Sequence, residues 1–235
     1  MQERYLVGRT ERFMTIVRLI RETQHSVRTT LDLGCGTGSL MLSILEAFPQ
    51  VESTGIDFDP TMLWLAEARL AHFGSRTRLI LADLRDVSWA ETVQSPLDAV
   101  ASATALHWLS PDELRELYRQ IAQVIRPGGI FLNADHVGSD FPGIQQTWEK
   151  RRAKMCAQET SSESDDWDGF WKEYCQALGL DISQIRQRVI GGWGGGVEEG
   201  LPLAWHFDRL RESGFCSVDC FWRCDCDAIY GGIRK

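Results

Sequence analysis

The chain has 235 residues, and 25 Lys and Arg against 33 Asp and Glu leave a formal net charge of −8. That length suits one domain with a core large enough to fold without staples. The acidic balance argues against a nucleic-acid partner, which needs Lys and Arg to neutralise phosphates, and equally against docking on an anionic membrane.

In chain order, Phe13, Ile16, Val17 and Ile20 fall at helical spacing, so residues 8–24 read as a helix. Residues 30–33 form a short strand that runs into Gly34-Cys35-Gly36-Thr37-Gly38, and residues 38–48 form a helix with Leu40, Met41, Ile44 and Leu45 inward. Residues 51–57 are a second strand. Pro60 then opens a helix to about His72, since proline in the first turn loses no hydrogen bond. Residues 78–82 and 97–102 are further strands, and Ser110-Pro111-Asp112-Glu113 caps a helix to Val124. Arg126-Pro127-Gly128-Gly129 reads as a turn into a fifth strand, 130–134. Strands alternating with helices predict an α/β fold with a largely parallel sheet and helices on both faces.

After Asp135 the rhythm breaks. Residues 137–206 read as a helical cap inserted into a single domain spanning 1–235, with 1–25 as an N-terminal helix or lid. The alternation returns with a helix over 203–213, Gly214 as its C-cap, and strands at 217–223 and 227–233. Those two strands are too close in sequence for a crossover helix and must pair antiparallel. The chain shows neither an apolar run long enough to span a membrane nor a signal-peptide pattern, so the expected location is the cytoplasm. Seven cysteines without a secretory signal fit reduced thiols. The run of Cys216, Cys220, Cys224 and Cys226 lacks the paired spacing of a zinc site, so no metal is expected.

Three strand ends carry chemistry. A glycine-rich turn after the first strand lets a ligand approach bare backbone N–H groups at a helix N-terminus, although a tight turn alone explains the glycines as well. Asp57 ends the second strand, 23 residues after Gly34, where an acid accepts both hydroxyls of a ribose; Asp57 or Asp59 also suits the N-cap before Pro60. Met62, one turn on, is placed to lie against an adenine face. Asp83 ends the third strand and suits an exocyclic amine, or equally a loop.

The ordered set D-L-G-C-G-T-G, G-I-D, L-A-D and I-R-P-G-G resembles the class I S-adenosylmethionine-dependent methyltransferases over roughly residues 30–135. The stretch Ala105-Leu106-His107-Trp108-Leu109 is similar to the small-molecule branch that includes the trans-aconitate methyltransferases. The resemblance implies a Rossmann-like seven-stranded sheet with its last strand antiparallel. It implies S-adenosyl-L-methionine as cofactor, with S-adenosyl-L-homocysteine as product. Asp32 would organise the loop, and Gly34, Cys35, Gly36, Thr37 and Gly38 would line the methionine part. Asp57 with Phe58 would hold the ribose, Asp83 and Leu84 would read the adenine, and Ser102 would join the cofactor set. In that family the N-terminal segment often closes over the cofactor, which brings Tyr5, Arg9 and Arg12 into view.

The acceptor side is less determined. His107 suits a general base for a hydroxyl, or a packing role at the sheet edge; a carboxylate acceptor needs no base. Four of the nine tryptophans, Trp148, Trp167, Trp171 and Trp193, fall in the cap. They either pack it onto the core or wall an acceptor pocket, and the second reading puts Trp108 and a cap tryptophan in one cleft with His107. The expected activity is methyl transfer to an oxygen of a small molecule, a carboxylate or hydroxyl. The alternatives are an enzyme that alters the cofactor itself, which the ending from Phe221 to Gly232 also suits, and a non-catalytic protein that binds it.

Overall fold

The computed structural model describes residues 8–94, 96–159 and 200–235. Strand β1 (Thr29–Leu33) is buried along nearly its whole length, as a central parallel strand must be, with Leu31 and Leu33 on one face and Thr30 and Asp32 on the other. Around it β2 (Glu52–Asp57), β3 (Thr77–Leu81), β4 (Leu97–Ala103), β5 (Ile125–His136), β6 (Phe215–Cys224) and β7 (Asp227–Arg234) form one sheet. Its order is β3-β2-β1-β4-β5-β7-β6. The pairs among β1 to β5 are parallel, and β7 runs antiparallel to both β5 and β6.

This order sets the site. The chain leaves β1 toward β2 and β3 on one side, then returns to place β4 on the other. The crevice opens where the order reverses, at the carboxyl ends of β1 and β4.

Helices cover both faces. On one, α1 (Arg9–Thr23) and α2 (Ser39–Ala47) bury Ile16, Ile20, Leu40 and Ile44 against Ala99, Ala101, Ile130 and Leu132. Between β2 and β3 run α3 (Pro60–Leu70) and a 3-10 turn over Ala71–Arg76, while α4 (Trp89–Thr92) precedes β4. On the other face α5 (Pro111–Val124) buries Leu114, Leu117, Tyr118 and Ile121. Its start is a complete capping box: the Ser110 hydroxyl accepts from Glu113 N, and the Glu113 carboxylate accepts from Ser110 N. Beyond β5 come α6 (Pro142–Glu159) and, after the undescribed stretch, α7 (Leu203–Glu212).

The expected turn at 126–129 is instead part of β5. Leu97 pairs with Ile125 and Ala99 with Ile130, so the extra residues bulge out, with Gly128 at φ 78°. Gly138 and Pro202 form a parallel bridge, and Gly138 N donates to Leu201 O. The two ends of the intervening stretch therefore meet beside β5.

Candidate active site

The glycine turn after β1 is held by backbone. Cys35 N donates to Ile56 O and Gly38 N to Cys35 O, each at 2.9 Å. Gly34, Gly36 and Gly38 all have positive φ, which side chains rarely adopt. A Cβ on Gly34 would sit 2.5 Å from the Ala105 Cβ, whereas a Cβ on Gly36 would meet nothing within 4 Å. The loop is thus packed from below at Gly34 and open at Gly36. Thr37 is half-buried, its hydroxyl 3.4 Å from that of Ser39. Cys35 is buried, and burial, then the charges of Asp32 and Asp57, push its thiol far up; it is a packing residue, not a nucleophile.

Two carboxylates lie under this loop. Asp57 accepts from Gly36 N at 2.8 Å and from Asp59 N at 2.9 Å. The cap of α3 falls to Asp59, which accepts from Thr61 N and Met62 N. The two readings of this pair of acids therefore separate: Asp59 caps, and Asp57 ties the second strand end to the loop. Asp32 is almost fully buried, and its Oδ2 has no hydrogen-bond partner among the described residues. Burial first, and the neighbouring Asp57 second, push its carboxyl up to about 8, against a Met41 N–H and the Arg9 charge. Burial also raises Asp57.

The remaining expected cofactor residues are placed as follows. Phe58 and Met62 are half-buried beyond the end of β2. Leu84 packs on the main core. The Asp83 carboxylate is gripped by Arg85, with Nη2 at 2.6 Å, which holds it below the usual carboxylate range. Ser102 departs from expectation: it is fully buried, and its hydroxyl donates to Leu33 O at 2.7 Å. It stitches β4 to β1 instead of facing a ligand.

At the end of β4 the chain turns sharply. Thr104 has φ 56°, an unusual value for a β-branched residue, and a 3-10 turn over Leu106–Trp108 follows. The His107 ring is buried, with Nδ1 2.7 Å from Asp135 Oδ1. Asp135 Oδ2 accepts from Leu106 N and His107 N, and Oδ1 from His136 N. Burial pushes the Asp135 carboxyl up, yet His107, His136 and these hydrogen bonds hold it well below the carboxylate range. An ionised carboxylate only accepts, so His107 donates through Nδ1.

Sequence reasoning did not find Asp135, although it is one more acid at a strand end. It also missed His136, whose Nδ1 lies 2.9 Å from Asp227 Oδ1, and Asp227 itself. Arg12 is buried in the core. It is 2% exposed, pairs with Asp227 at 3.3 Å, and donates to Ala134 O and the Thr104 hydroxyl. Arg9 lies over the Phe13 ring, and Tyr5 is outside the described residues.

A small cavity beside His107 is lined by Asp135, His136, His206, Tyr230 and several leucines. His206 accepts from or donates to the Tyr118 hydroxyl at 2.8 Å, and burial lowers its pKa to about 4. The expected aromatic cleft is not what borders this cavity. The Trp108 ring is 36% exposed and 4.8 Å from the His107 ring, while the Trp148 ring lies under the Arg223 guanidinium at 4.8 Å. Trp167, Trp171 and Trp193 lie outside the described residues. Among the described residues no cluster of metal-ligating side chains occurs, and no helix is long and apolar enough to cross a membrane.

Residues 30–129 match a family model described as a methyltransferase domain. A trans-aconitate 2-methyltransferase of Acidovorax ebreus is 31% identical over 122 residues, 52% of this chain and 43% of that protein. A carboxy-S-adenosyl-L-methionine synthase of Campylobacter lari is 26% identical over 106 residues, 45% of this chain and 43% of that protein. The chain thus matches less than half the length of these curated relatives. In fold it is similar to an O-methyltransferase family protein from Burkholderia thailandensis, with TM-score 0.62 at 19% identity, covering 94% of this chain and 56% of that one.

Proposed function

From the match of residues 30–129 to a methyltransferase-domain family model, we infer a class I S-adenosylmethionine-dependent transferase that methylates an oxygen of a small molecule, a hydroxyl in preference to a carboxylate. The observation that carries the cofactor half is Asp32 Oδ2: buried, without a partner, and beside a loop open at Gly36. An orphaned buried carboxylate oxygen calls for a cationic ligand group, and the cofactor's methionine part supplies an ammonium. These residues fit the group.

The binding roles follow the strand ends. Gly34, Cys35, Gly36, Thr37 and Gly38 admit the methionine part to the backbone. Asp57 offers its carboxylate to the ribose hydroxyls, beside the backbone N–H groups of Gly36 and Asp59 that it already accepts. Phe58 and Met62 flank the adenine, and Asp83 and Leu84 meet its edge. Once bound, the cofactor supplies an electrophilic methyl group on sulfur, which keeps the bond pair as the methyl moves to oxygen.

The acceptor half rests on His107. Its Nδ1 is committed to Asp135, so Nε2 is the basic atom, and it takes the hydroxyl proton as oxygen becomes the nucleophile. A carboxylate acceptor leaves that pair without a task. We place the protein in the cytoplasm, acting on a free small molecule.

Calorimetry with S-adenosyl-L-homocysteine tests the cofactor half; no binding at high micromolar concentration sinks it. Mass spectrometry of the cofactor after incubation separates methyl donation from the second reading, alteration of the cofactor, which the Campylobacter lari likeness favours. A new cofactor mass without acceptor would decide for that reading. Cofactor binding with neither change would leave a binding protein.

A further inference from the structure

The His107–Asp135 pair joins two strand ends, and one guanidinium is bonded to the backbone of both. Asp135 follows Ala134 in β5, and the Ala134 carbonyl accepts from Arg12 Nη2. That same oxygen accepts from Thr104 N at 2.9 Å, and Arg12 Nη2 also reaches the Thr104 hydroxyl at 3.5 Å. Thr104 opens the turn that carries His107, and its φ of 56° is one that a β-branched residue keeps only when its surroundings impose it. The same turn touches the glycine loop, because a Cβ on Gly34 would lie 2.5 Å from that of Ala105. The guanidinium is itself fixed, with Nη1 3.3 Å from Asp227 Oδ1 and the side chain 2% exposed. Burying an arginine beside Phe13, Ile16 and Ile20 costs desolvation that the apolar packing of α1 does not require.

We propose that Arg12 is a positioning residue for the proton-accepting pair. Its planar fork holds the peptide that leads into Asp135 and the residue that opens the His107 turn in one register. That register keeps His107 Nδ1 2.7 Å from Asp135 Oδ1. Asp135 closes the arrangement by accepting from Leu106 N and His107 N. The inference rests on the reading of His107 as the base of a methyltransferase.

The test is proton NMR of the full chain without ligand. An imidazole N–H donated to an ionised carboxylate is deshielded, more so as the bond shortens. The wild type should show a far-downfield resonance that His107→Gln removes. In Arg12→Met that resonance should move upfield or be lost to exchange with water. Arg12→Lys keeps the charge beside Asp227 but replaces the fork by a single ammonium, and should displace the resonance too. Ile16→Ala, which removes buried bulk from the same helix, should leave it in place. Circular dichroism confirms that each variant is folded, and Arg12→Lys decides if Arg12→Met is not. An unmoved resonance in a folded Arg12 variant, an equal displacement in Ile16→Ala, or no such resonance in the wild type overturns the proposal and leaves the cofactor assignment standing. A wild-type chain that fails to bind S-adenosyl-L-homocysteine overturns the methyltransferase reading instead, since the resonance is read without ligand.

Discussion

The backbone N–H of Gly36 donates to Oδ2 of Asp57 across 2.8 Å, joining the glycine turn to the end of the neighbouring strand. One carboxylate thus shapes the loop and stands where a ribose is expected. Asp57→Ala strands this N–H and that of Asp59, so it should lower stability by about 1–3 kcal/mol and weaken S-adenosyl-L-homocysteine binding more than tenfold. His107→Ala, on the acceptor side, should weaken it far less. Urea unfolding and calorimetry check both; equal effects of the two variants would contradict the site assignment.

Asp32 makes stability fall as pH rises. Its carboxyl sits near 8 in the folded protein against an ordinary 3.8. Between those values the folded state holds a proton that the unfolded chain has released. Its contribution is therefore fully present below the unfolded value and lost as pH climbs toward 8. Burial of Asp57 adds in the same direction. The ligand-free melting temperature should drop across this window, and Asp32→Asn should flatten the drop and melt about 3 °C or more higher at pH 8. Bound S-adenosyl-L-homocysteine, whose ammonium matches Asp32, should flatten it too. Melting curves at several pH values, with and without ligand, decide.

The buried Arg12 pairs with the partly buried Asp227 and also holds Thr104 in its strained turn. Arg12→Met leaves Asp227 with His136 as its charge partner among the described residues, and should cost about 1–3 kcal/mol. Arg12→Met with Asp227→Asn should cost less than the two single changes summed, by about 1–3 kcal/mol. Denaturant unfolding of the four proteins gives the coupling directly, and strict additivity would show the pair to be energetically idle.

Gly34 and Gly36 should respond differently to alanine. Both have positive φ, which costs about 1–2 kcal/mol for a side chain. At Gly34 the new methyl also meets Ala105 at 2.5 Å, so Gly34→Ala should be the more destabilising. Ala105→Gly should recover the steric part of that loss and leave the backbone part. Gly36→Ala has room in the protein itself, and its main effect should be on cofactor affinity. Thermal melts and calorimetry on the set separate the two costs.

Much of this was legible before any coordinates. The periodicity of Phe13, Ile16, Val17 and Ile20, the Ser110 capping box and the short link between β6 and β7 all depend on neighbours along the chain. So did the stations at Gly34–Gly38, Asp57 and Asp83, because a strand end and a helix start are local events. The bulge at 126–129 has the local sequence of a turn, since Gly128-Gly129 satisfies either and only pairing with β4 distinguishes them.

The pairings that make the site chemical are not local. His107 and Asp135 are 28 residues apart, and Arg12 and Asp227 are 215 apart. Nothing near Ser102 says that its hydroxyl will be spent on Leu33. Residue order thus determined which segments become strands and which acids stand at strand ends, because backbone propensity and burial period act over a few residues. Sheet order and helix packing alone decided which carboxylate meets which imidazole and which charge is buried. Those contacts exist only once distant strands share an edge, and their energies depend on the water that packing excludes.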